Sequence, residues 1–185
     1  TYMGTIPAFN DSTLVKYFIE AVDNINTTTI APNDTTEDVM FYYVLDRGLK
    51  IQDVQSSPFG GGLSGYDNYE VTVSGVVTSD TSDWDQSRPY VFIQNGAGPW
   101  SGIRITGTEA IKLNKGDNVT VTGIVDEDFS FTWIEGLNTA PSVTVNSTGN
   151  DLPAAVELTT SVFSGTNSGV VSAEQYESVL VKFSN

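Results

Sequence analysis

The stretch GDNVTVTGIVDEDFSFTWIEGL, residues 116–137, decides the fold. Apolar and polar residues alternate on both sides of the acidic segment at 126–128, and this alternation predicts a strand, a turn and a second strand. Gly123 stands in the middle of the first strand, where a small barrel requires a sharp bend. We therefore expect this hairpin to belong to a small closed β-barrel.

Five segments of the chain share this strand-like alternation. They are residues 69–79, 89–95, 101–107, 118–128 and 131–136. Gly75 lies in the middle of the first segment, as Gly123 does in the fourth. Five strands with central glycines in the first and fourth are typical of an oligonucleotide/oligosaccharide-binding (OB) barrel. The helix that usually lies between the third and fourth strands has one candidate, the short segment TEAIKL at 108–113.

The composition excludes several classes of function. The chain has 23 acidic and 8 basic residues, a net charge of −15, and neither histidine nor cysteine. A nucleic-acid-binding domain normally carries a basic surface, because contacts to phosphate dominate its affinity. Without histidine and cysteine, the chain forms no Ser-His-Asp or Cys-His site, no disulfide and no cysteine-ligated zinc site. No apolar run approaches the length of a membrane-spanning helix.

We interpret residues 1–46 as the C-terminal part of an immunoglobulin-like β-sandwich. Residues 2–6 and 40–46 have the composition of strands, and VKYFIEAVD at 15–23 has the β-branched and aromatic bias of a sandwich strand. A helix over 13–22 is the competing interpretation. Three strands do not complete two packed sheets, so we expect further strands to precede them in the native chain.

Residues 47–68 form a connector in this interpretation. Three consecutive glycines, at 60–62, indicate flexibility or a close backbone approach. The composition around them places a domain boundary here. A short strand through Leu49, Ile51 and Val54 is expected to enter the barrel.

The barrel is assigned to residues 69–145 and a trailing β-segment to residues 146–185, where we expect a further β-unit to begin. The terminal segment at 176–185 alternates apolar and polar residues as a strand does. Incomplete sheets have unpaired edges that recruit other strands. We therefore expect either a longer native chain or a fibre, in which this strand pairs with the N-terminal strands of a neighbouring copy.

Four short motifs carry a resemblance to a known family. They are V-x-V-x-G-x-V at 71–77, F-I-Q-N-G at 92–96, W-S-G-I at 100–103 and G-D-x-V-x-V-x-G at 116–123. In this order they resemble the YhcR-type OB-fold domain of large secreted bacterial multidomain proteins, over about residues 50–145. The segment at 6–24 is similar to the end of an immunoglobulin-like module, which often precedes that domain. The resemblance implies a non-catalytic module, since the chemistry of the nuclease-containing relatives lies in a separate domain.

Aromatic residues of the barrel are the candidate ligand-binding residues. Those selected are Trp84, Tyr90, Trp100 and Trp133. Sugars and bases stack on aromatic platforms, so a groove lined by these side chains would bind a polymer. The net negative charge favours a glycan over nucleic acid. Packing in the core or anchoring of loops is the alternative interpretation.

Two acidic loops are candidate calcium sites. One contains Asp80, Asp83 and Asp85, and the other contains Asp126 and Asp128. Calcium takes six to eight oxygen ligands, and carboxylates on short loops supply them. Neither loop matches the calcium-binding pattern of an EF-hand, and solvated acidic turns are the alternative interpretation. No other cofactor is indicated.

The leading functional hypothesis is a non-catalytic structural or adhesive segment of an extracellular or cell-surface protein, including fibre formation by strand addition. The abundance of Thr, Ser, Asn and Gly with few Lys and Glu favours an exported protein. The alternative is a carbohydrate- or nucleic-acid-binding accessory module of a secreted hydrolase or nuclease. No pair of carboxylates has a spacing that indicates catalysis, so no enzyme is expected. The partners expected are neighbouring domains, other copies of the chain and glycans, without membrane insertion.

Overall fold

A computed structural model gives the fold, and it describes residues 3–33, 40–57, 62–83, 90–138, 142–163 and 171–184. The chain divides into two compact units, Thr1–Gly48 and Leu49–Asn185. The fold is all-β and contains an OB-like barrel, which confirms the predicted fold class. No helix in the described residues has the length and hydrophobicity that a membrane span requires.

The described part of the first unit contains two separate antiparallel pairs of strands. The strands are β1 (Thr13–Tyr17), β2 (Ile19–Val22), β3 (Thr28–Ala31) and β4 (Met40–Val44). β1 pairs with β4 and β2 pairs with β3, so the strand interpretation of residues 13–22 is confirmed over the helix. The predicted strand at 2–6 is wrong for its described residues, 3–6, which have no regular structure. Val15 is the buried hydrophobic residue of this unit among those described.

The second unit is built on a five-stranded barrel. Its strands are β5 (Glu70–Ser79), β6 (Tyr90–Gln94), β7 (Gly102–Thr106), β8 (Asn118–Asp128) and β9 (Phe131–Glu135). β5 pairs antiparallel with β6 and β8, and β6 pairs antiparallel with β7. β9 closes the barrel by pairing antiparallel with β8 and parallel with β7. This strand order is that of the OB barrel which the five alternating segments predict.

Alternation along the strands separates the core from the outer surface. On β5, Val71, Val73 and Val77 are almost completely buried, and on β6 Val91 and Ile93 are fully buried. The residues between them point to the outside of the barrel, because successive side chains of a strand lie on opposite faces. The outer faces of β6, β7 and β9 are therefore the surface on which a ligand of an OB-like barrel is sought.

At the start of the second unit, the structure has a helix where the sequence predicted a connector that contains a short strand. Residues Ile51–Gln55 form a helix, α1, in which Ile51 and Val54 are fully buried in the barrel core. Residues three apart lie on one face of a helix, which this spacing fits and strand alternation does not. The Asp53 side chain accepts a hydrogen bond of 2.8 Å from the backbone N–H of Lys50, which stabilises the first turn.

The C-terminal segment belongs to the same compact unit as the barrel, in place of the separate β-unit expected to begin in residues 146–185. β10 (Val143–Ser147) pairs with β8, and β11 (Val156–Leu158) pairs in parallel with β12 (Val181–Phe183). A short helix, α2 (Val171–Glu174), precedes β12. Polar side chains of the barrel bind this segment, as described below. The alternation of apolar and polar residues does not reveal this contact between the segment and the barrel.

At the two predicted bends, Gly75 and Gly123, neighbouring strands leave little space for a side chain. A Cβ on Gly123 would lie 2.4 Å from the carbonyl oxygen of Glu135, and one on Gly75 would lie 3.0 Å from the carbonyl oxygen of Gln94. Both obstacles are backbone atoms of neighbouring strands, which yield less easily than side chains.

We predict that Gly123→Ala lowers the free energy of unfolding by roughly 1–3 kcal/mol, the range for overpacking, and that Gly75→Ala lowers it less. The control is Gly48→Ala, because no atom lies within 4 Å of a Cβ built there. Denaturant titration of the three variants measures the differences. Equal stability of Gly123→Ala and Gly48→Ala would contradict the proposed close approach.

Candidate functional site

An aromatic cluster around one arginine occupies the outer face of β6, β7 and β9. We call it the aromatic–arginine face, and its members are Tyr90, Phe92, Arg104, Phe131 and Trp133. The sheet register places Arg104 opposite Phe92 on one side and opposite Trp133 on the other. All five side chains are partly buried, while the residues between them fill the core. The face is therefore a packed outer layer of the barrel.

The guanidinium of Arg104 lies over three aromatic rings. Its central carbon is 4.4 Å from the ring centroid of Phe131, 4.5 Å from that of Trp133 and 5.5 Å from that of Tyr90. Each distance is within the range of a cation–π interaction, which contributes about 0.5–2 kcal/mol. Tyr90 also packs edge-on against Phe92, with 5.6 Å between the ring centroids. These contacts fix the plane of the guanidinium.

Arg104 is partly removed from water without a full set of hydrogen bonds. Its Nε is buried and has no hydrogen-bond partner among the described residues. Burial lowers the pKa of Arg104, while Tyr90, Glu177, Asp128 and Asp126 act in the opposite direction. An arginine in a protein nevertheless keeps its charge at neutral pH. The face therefore holds a cation packed against aromatic rings, with one buried donor that the described residues leave unpaired.

The turn between β8 and β9 carries a further aromatic residue, Phe129. Phe129 is 99% exposed at the tip of the hairpin. Phe129 and Ser130 have φ angles of 52° and 61°. Positive φ at both central residues is what a two-residue hairpin turn of type I′ requires, so these angles follow from the tight turn between Asp128 and Phe131. We include Phe129 among the candidate contact residues.

The structure brings together two of the four predicted ligand-binding aromatics. Tyr90 and Trp133 both contact Arg104. Trp100 lies at the turn between β6 and β7, at the other end of this hairpin from Tyr90, where its backbone N–H donates to the carbonyl of Gln175 at 2.6 Å. Trp84 lies outside the described residues.

The sequence prediction missed Arg104, which is central to the face. The available signal was its position in the segment SGIRITG, where it stands between two inward-facing isoleucines and so points outward. Its neighbours could not be named in advance, because Phe131 and Trp133 reach it through the parallel pairing of β7 with β9. That pairing joins distant parts of the chain and leaves no local pattern.

The carboxylates of the first acidic loop are engaged by protein donors. Asp80 accepts hydrogen bonds from the hydroxyl and backbone N–H of Ser82 and from the backbone N–H of Lys115, at 2.5, 2.8 and 2.7 Å. The hydroxyl bond is the main reason why the pKa of Asp80 lies below its usual value. Asp83 pairs with the Lys115 ammonium at 2.7 Å, which likewise lowers its pKa. Asp85 lies outside the described residues.

Asp126 and Asp128 lie on β8 rather than in a loop, opposite Trp133 and Phe131 of β9. Their charges act on the nearby Arg104. Within the described ranges, no group of three or more acidic side chains is arranged to hold a metal ion. Calcium binding at either segment stays a prediction.

The calcium hypothesis predicts that millimolar calcium raises the melting temperature of the wild type above its value in chelator. The double variant Asp80→Asn, Asp83→Asn should lose this rise, because it removes the charges that attract the cation. The matched control is Asp126→Asn, Asp128→Asn, which tests the other acidic segment. An unchanged wild-type melting temperature contradicts the hypothesis for both segments.

A cluster of carboxyl groups joins the C-terminal segment to the barrel through Thr132. Glu177 Oε1 accepts hydrogen bonds from the backbone N–H of Thr132 at 3.1 Å and from Gln55 Nε2 at 3.3 Å. Glu127 Oε1 accepts from the Thr132 hydroxyl at 2.6 Å. Burial raises the pKa of Glu177 to about 8, and the nearby carboxylates of Glu174 and Glu127 add to that rise. At neutral pH the Glu177 side chain is therefore mainly a neutral carboxyl group.

We expect Glu177→Gln to reduce the loss of stability that accompanies a rise in pH from 4.5 to about 8. The folded state favours the neutral carboxyl, so its contribution is complete below pH 4.5 and is lost as the pH rises towards about 8. The free energy of unfolding of the wild type should fall across this window with a slope of up to about 1.4 kcal/mol per pH unit from this group. The variant cannot ionise and should show a shallower slope in denaturant titrations.

Glu157→Gln, at an exposed position of β11, is the control and should keep the wild-type slope. Equal slopes for Glu177→Gln and wild type would contradict the assignment of this pH dependence to Glu177.

Comparison with known proteins identifies no family. No protein-family model matches the chain, and no curated protein matches it either. The resemblance to the YhcR-type OB domain therefore stays a prediction, and the proposals below depend on the geometry of the aromatic–arginine face.

Proposed function

We propose that the chain is a non-catalytic adhesive segment of an extracellular or cell-surface protein, and that the aromatic–arginine face of its barrel binds a glycan. The observation that carries this proposal is the guanidinium of Arg104 held among the rings of Phe131, Trp133 and Tyr90. Aromatic rings and a planar set of hydrogen-bond donors are thereby combined on one exposed side of the barrel.

The chemistry of this face suits a sugar ring. The C–H groups of a sugar pack against aromatic rings, and its hydroxyl oxygens accept hydrogen bonds from a guanidinium. OB-like barrels bind oligosaccharides and oligonucleotides on the face of their second and third strands, which correspond to β6 and β7 here. The exposed ring of Phe129 extends the same side of the barrel by one further stacking surface.

The charges around the face favour a neutral glycan over nucleic acid. Single-stranded nucleic acid requires a positively charged groove that follows its phosphates. Here Asp126 and Asp128 flank the one arginine, and the chain as a whole has a net charge of −15. The field therefore opposes a polyanion, while it leaves contacts to uncharged hydroxyl groups unaffected.

Two related proposals follow from other observations. The same face would serve an accessory module that holds a secreted hydrolase on its polymeric substrate. Fibre formation by strand addition is supported by β10, which ends the strand order of the barrel sheet in the described part of the chain and has four exposed residues out of five. The terminal segment suggested as the strand donor, at 176–185, contains β12, which already pairs with β11.

Retention on insoluble polysaccharides tests the glycan proposal, with cellulose, xylan and chitin as probes and a single-stranded oligothymidine for comparison. We expect wild type to bind at least one polysaccharide and not the oligonucleotide. Trp133→Ala should weaken binding by about tenfold or more, since a stacked ring contributes about 1–3 kcal/mol. Arg104→Lys should also weaken it, because lysine keeps the charge but loses the planar set of donors.

Tyr69→Ala is the matched control, because Tyr69 is an aromatic residue that is 66% exposed and precedes β5, with its backbone paired to β8 rather than to the strands of the face. It should bind as wild type does. Equal losses in Tyr69→Ala and Trp133→Ala would overturn the assignment of the face. Tight binding of the oligonucleotide at physiological salt would instead favour the nucleic-acid alternative.

A further inference from the structure

The outer face of β6 and β7 continues beyond the aromatic–arginine face towards the turn that joins them. Gln94 on β6 and Gly102 on β7 follow Phe92 and Arg104 in the outward register. Outward positions on a barrel are normally in contact with solvent, yet Gln94 is 0% exposed and Gly102 is buried. Another part of the chain therefore covers this half of the face.

The covering segment is residues 175–180, which we call the strap. Its two ends are bound through their backbone: Trp100 N–H donates to the carbonyl of Gln175 at 2.6 Å, and Leu180 N–H donates to Gln94 Oε1 at 2.9 Å. Between them the carbonyl of Ser178 lies so close to Gly102 that a Cβ there would be 2.0 Å from its oxygen. The barrel thus provides a glycine where the strap backbone needs the space.

Between its two ends the strap is held by polar contacts to one carboxyl group, that of Glu177. Val179 is its buried apolar residue. Glu177 accepts from the Thr132 N–H and from Gln55 Nε2, and Gln55 Nε2 also donates to the carbonyl of Gly102 at 2.7 Å. The charged groups that face Glu177 are Arg104, which favours the carboxylate, and Glu127 and Glu174, which oppose it. Ionisation would place a charge beside two further acidic groups at a poorly hydrated site.

We propose that the strap competes with a ligand for the outer surface of β6 and β7. It covers the half of this surface next to the turn, and its displacement lengthens the surface open to a ligand. The biological meaning of this proposal rests on the proposed glycan-binding function, but the displacement itself does not. The burial of Glu177 beside Glu127 and Glu174 assigns it as the group whose ionisation starts the displacement.

Hydrogen exchange of the full chain tests the displacement without any ligand. The reporters are the amides of Trp100, Thr132 and Leu180, which are the donors in the contacts between strap and barrel. Gly102→Ala should lower their protection factors by about tenfold or more, because its Cβ occupies the place of the Ser178 carbonyl, while amides of the β5–β8 ladder stay protected. Gly48→Ala, with no atom within 4 Å of its Cβ, should behave as wild type does.

The variant Glu177→Gln tests whether ionisation of Glu177 starts the displacement. From about pH 6 to about pH 9, wild type should lose protection at the three reporters, after correction for intrinsic exchange, while the β5–β8 ladder does not. Glu177→Gln keeps an oxygen that accepts the same two hydrogen bonds but cannot ionise, so its reporters should stay protected. Protection in wild type that is independent of pH would overturn the role of Glu177. Loss of protection throughout the barrel would overturn the strap as a separate element.

Retention on the polysaccharide that wild type binds then tests competition. Gly102→Ala should bind several-fold more tightly than Gly48→Ala, because more of the face is open. If the strap opens in Gly102→Ala but binding of the polysaccharide does not increase, the proposed competition between strap and ligand is wrong. The proposed glycan-binding function is not affected by that result. If no polysaccharide binds to wild type, the proposed function fails, and the exchange results still decide whether the strap is displaced.

Discussion

The structure depends on the closure of the barrel at Gly123. Next to this residue β8, which still pairs with β5 along one edge, begins its pairing with β9 along the other, and the carbonyl of Glu135 comes too close to Gly123 for any side chain. Closure brings β9 beside β7, where the two strands pair in parallel over two described positions. Arg104 and Trp133 become neighbours only through that pairing. The aromatic–arginine face is therefore a consequence of the same bend that shapes the core.

The sequence predicted the parts of the fold that leave a local pattern. The barrel strands and their glycines follow from alternation, because each strand buries one face. The helix α1 was missed because Ile51 and Val54 lie in a short polar segment where two apolar residues fit several structures. The strap was assigned to a separate unit because its bonds to Gln94, Trp100 and Thr132 link residues far apart in the chain. Of the candidate site, Tyr90 and Trp133 were predictable as outward aromatics, whereas their contact with Arg104 was not.

Charge is distributed in an unusual way for so acidic a chain. The cation of Arg104 is kept among aromatic rings, and at neutral pH Glu177 of the strap is mainly uncharged. Both arrangements place an ionisable group where water is scarce, so each depends on its immediate neighbours rather than on solvent. The aromatic–arginine face and its covering segment thereby share one electrostatic environment, in which the ionised form of Glu177 acts on Arg104.

The parallel pairing of β11 with β12 has a mechanical consequence. Val156, Glu157 and Leu158 lie in register with Val181, Lys182 and Phe183. A pull on the C-terminal end of β12, resisted at the N-terminal end of β11, loads two parallel strands from opposite ends. The hydrogen bonds between them are then sheared together instead of being opened one after another. The strap immediately precedes β12, so tension reaches the strap only after the pairing of β11 with β12 has broken. In the proposed adhesive role, the strap would thus stay on the barrel until the load breaks the pairing of β11 with β12.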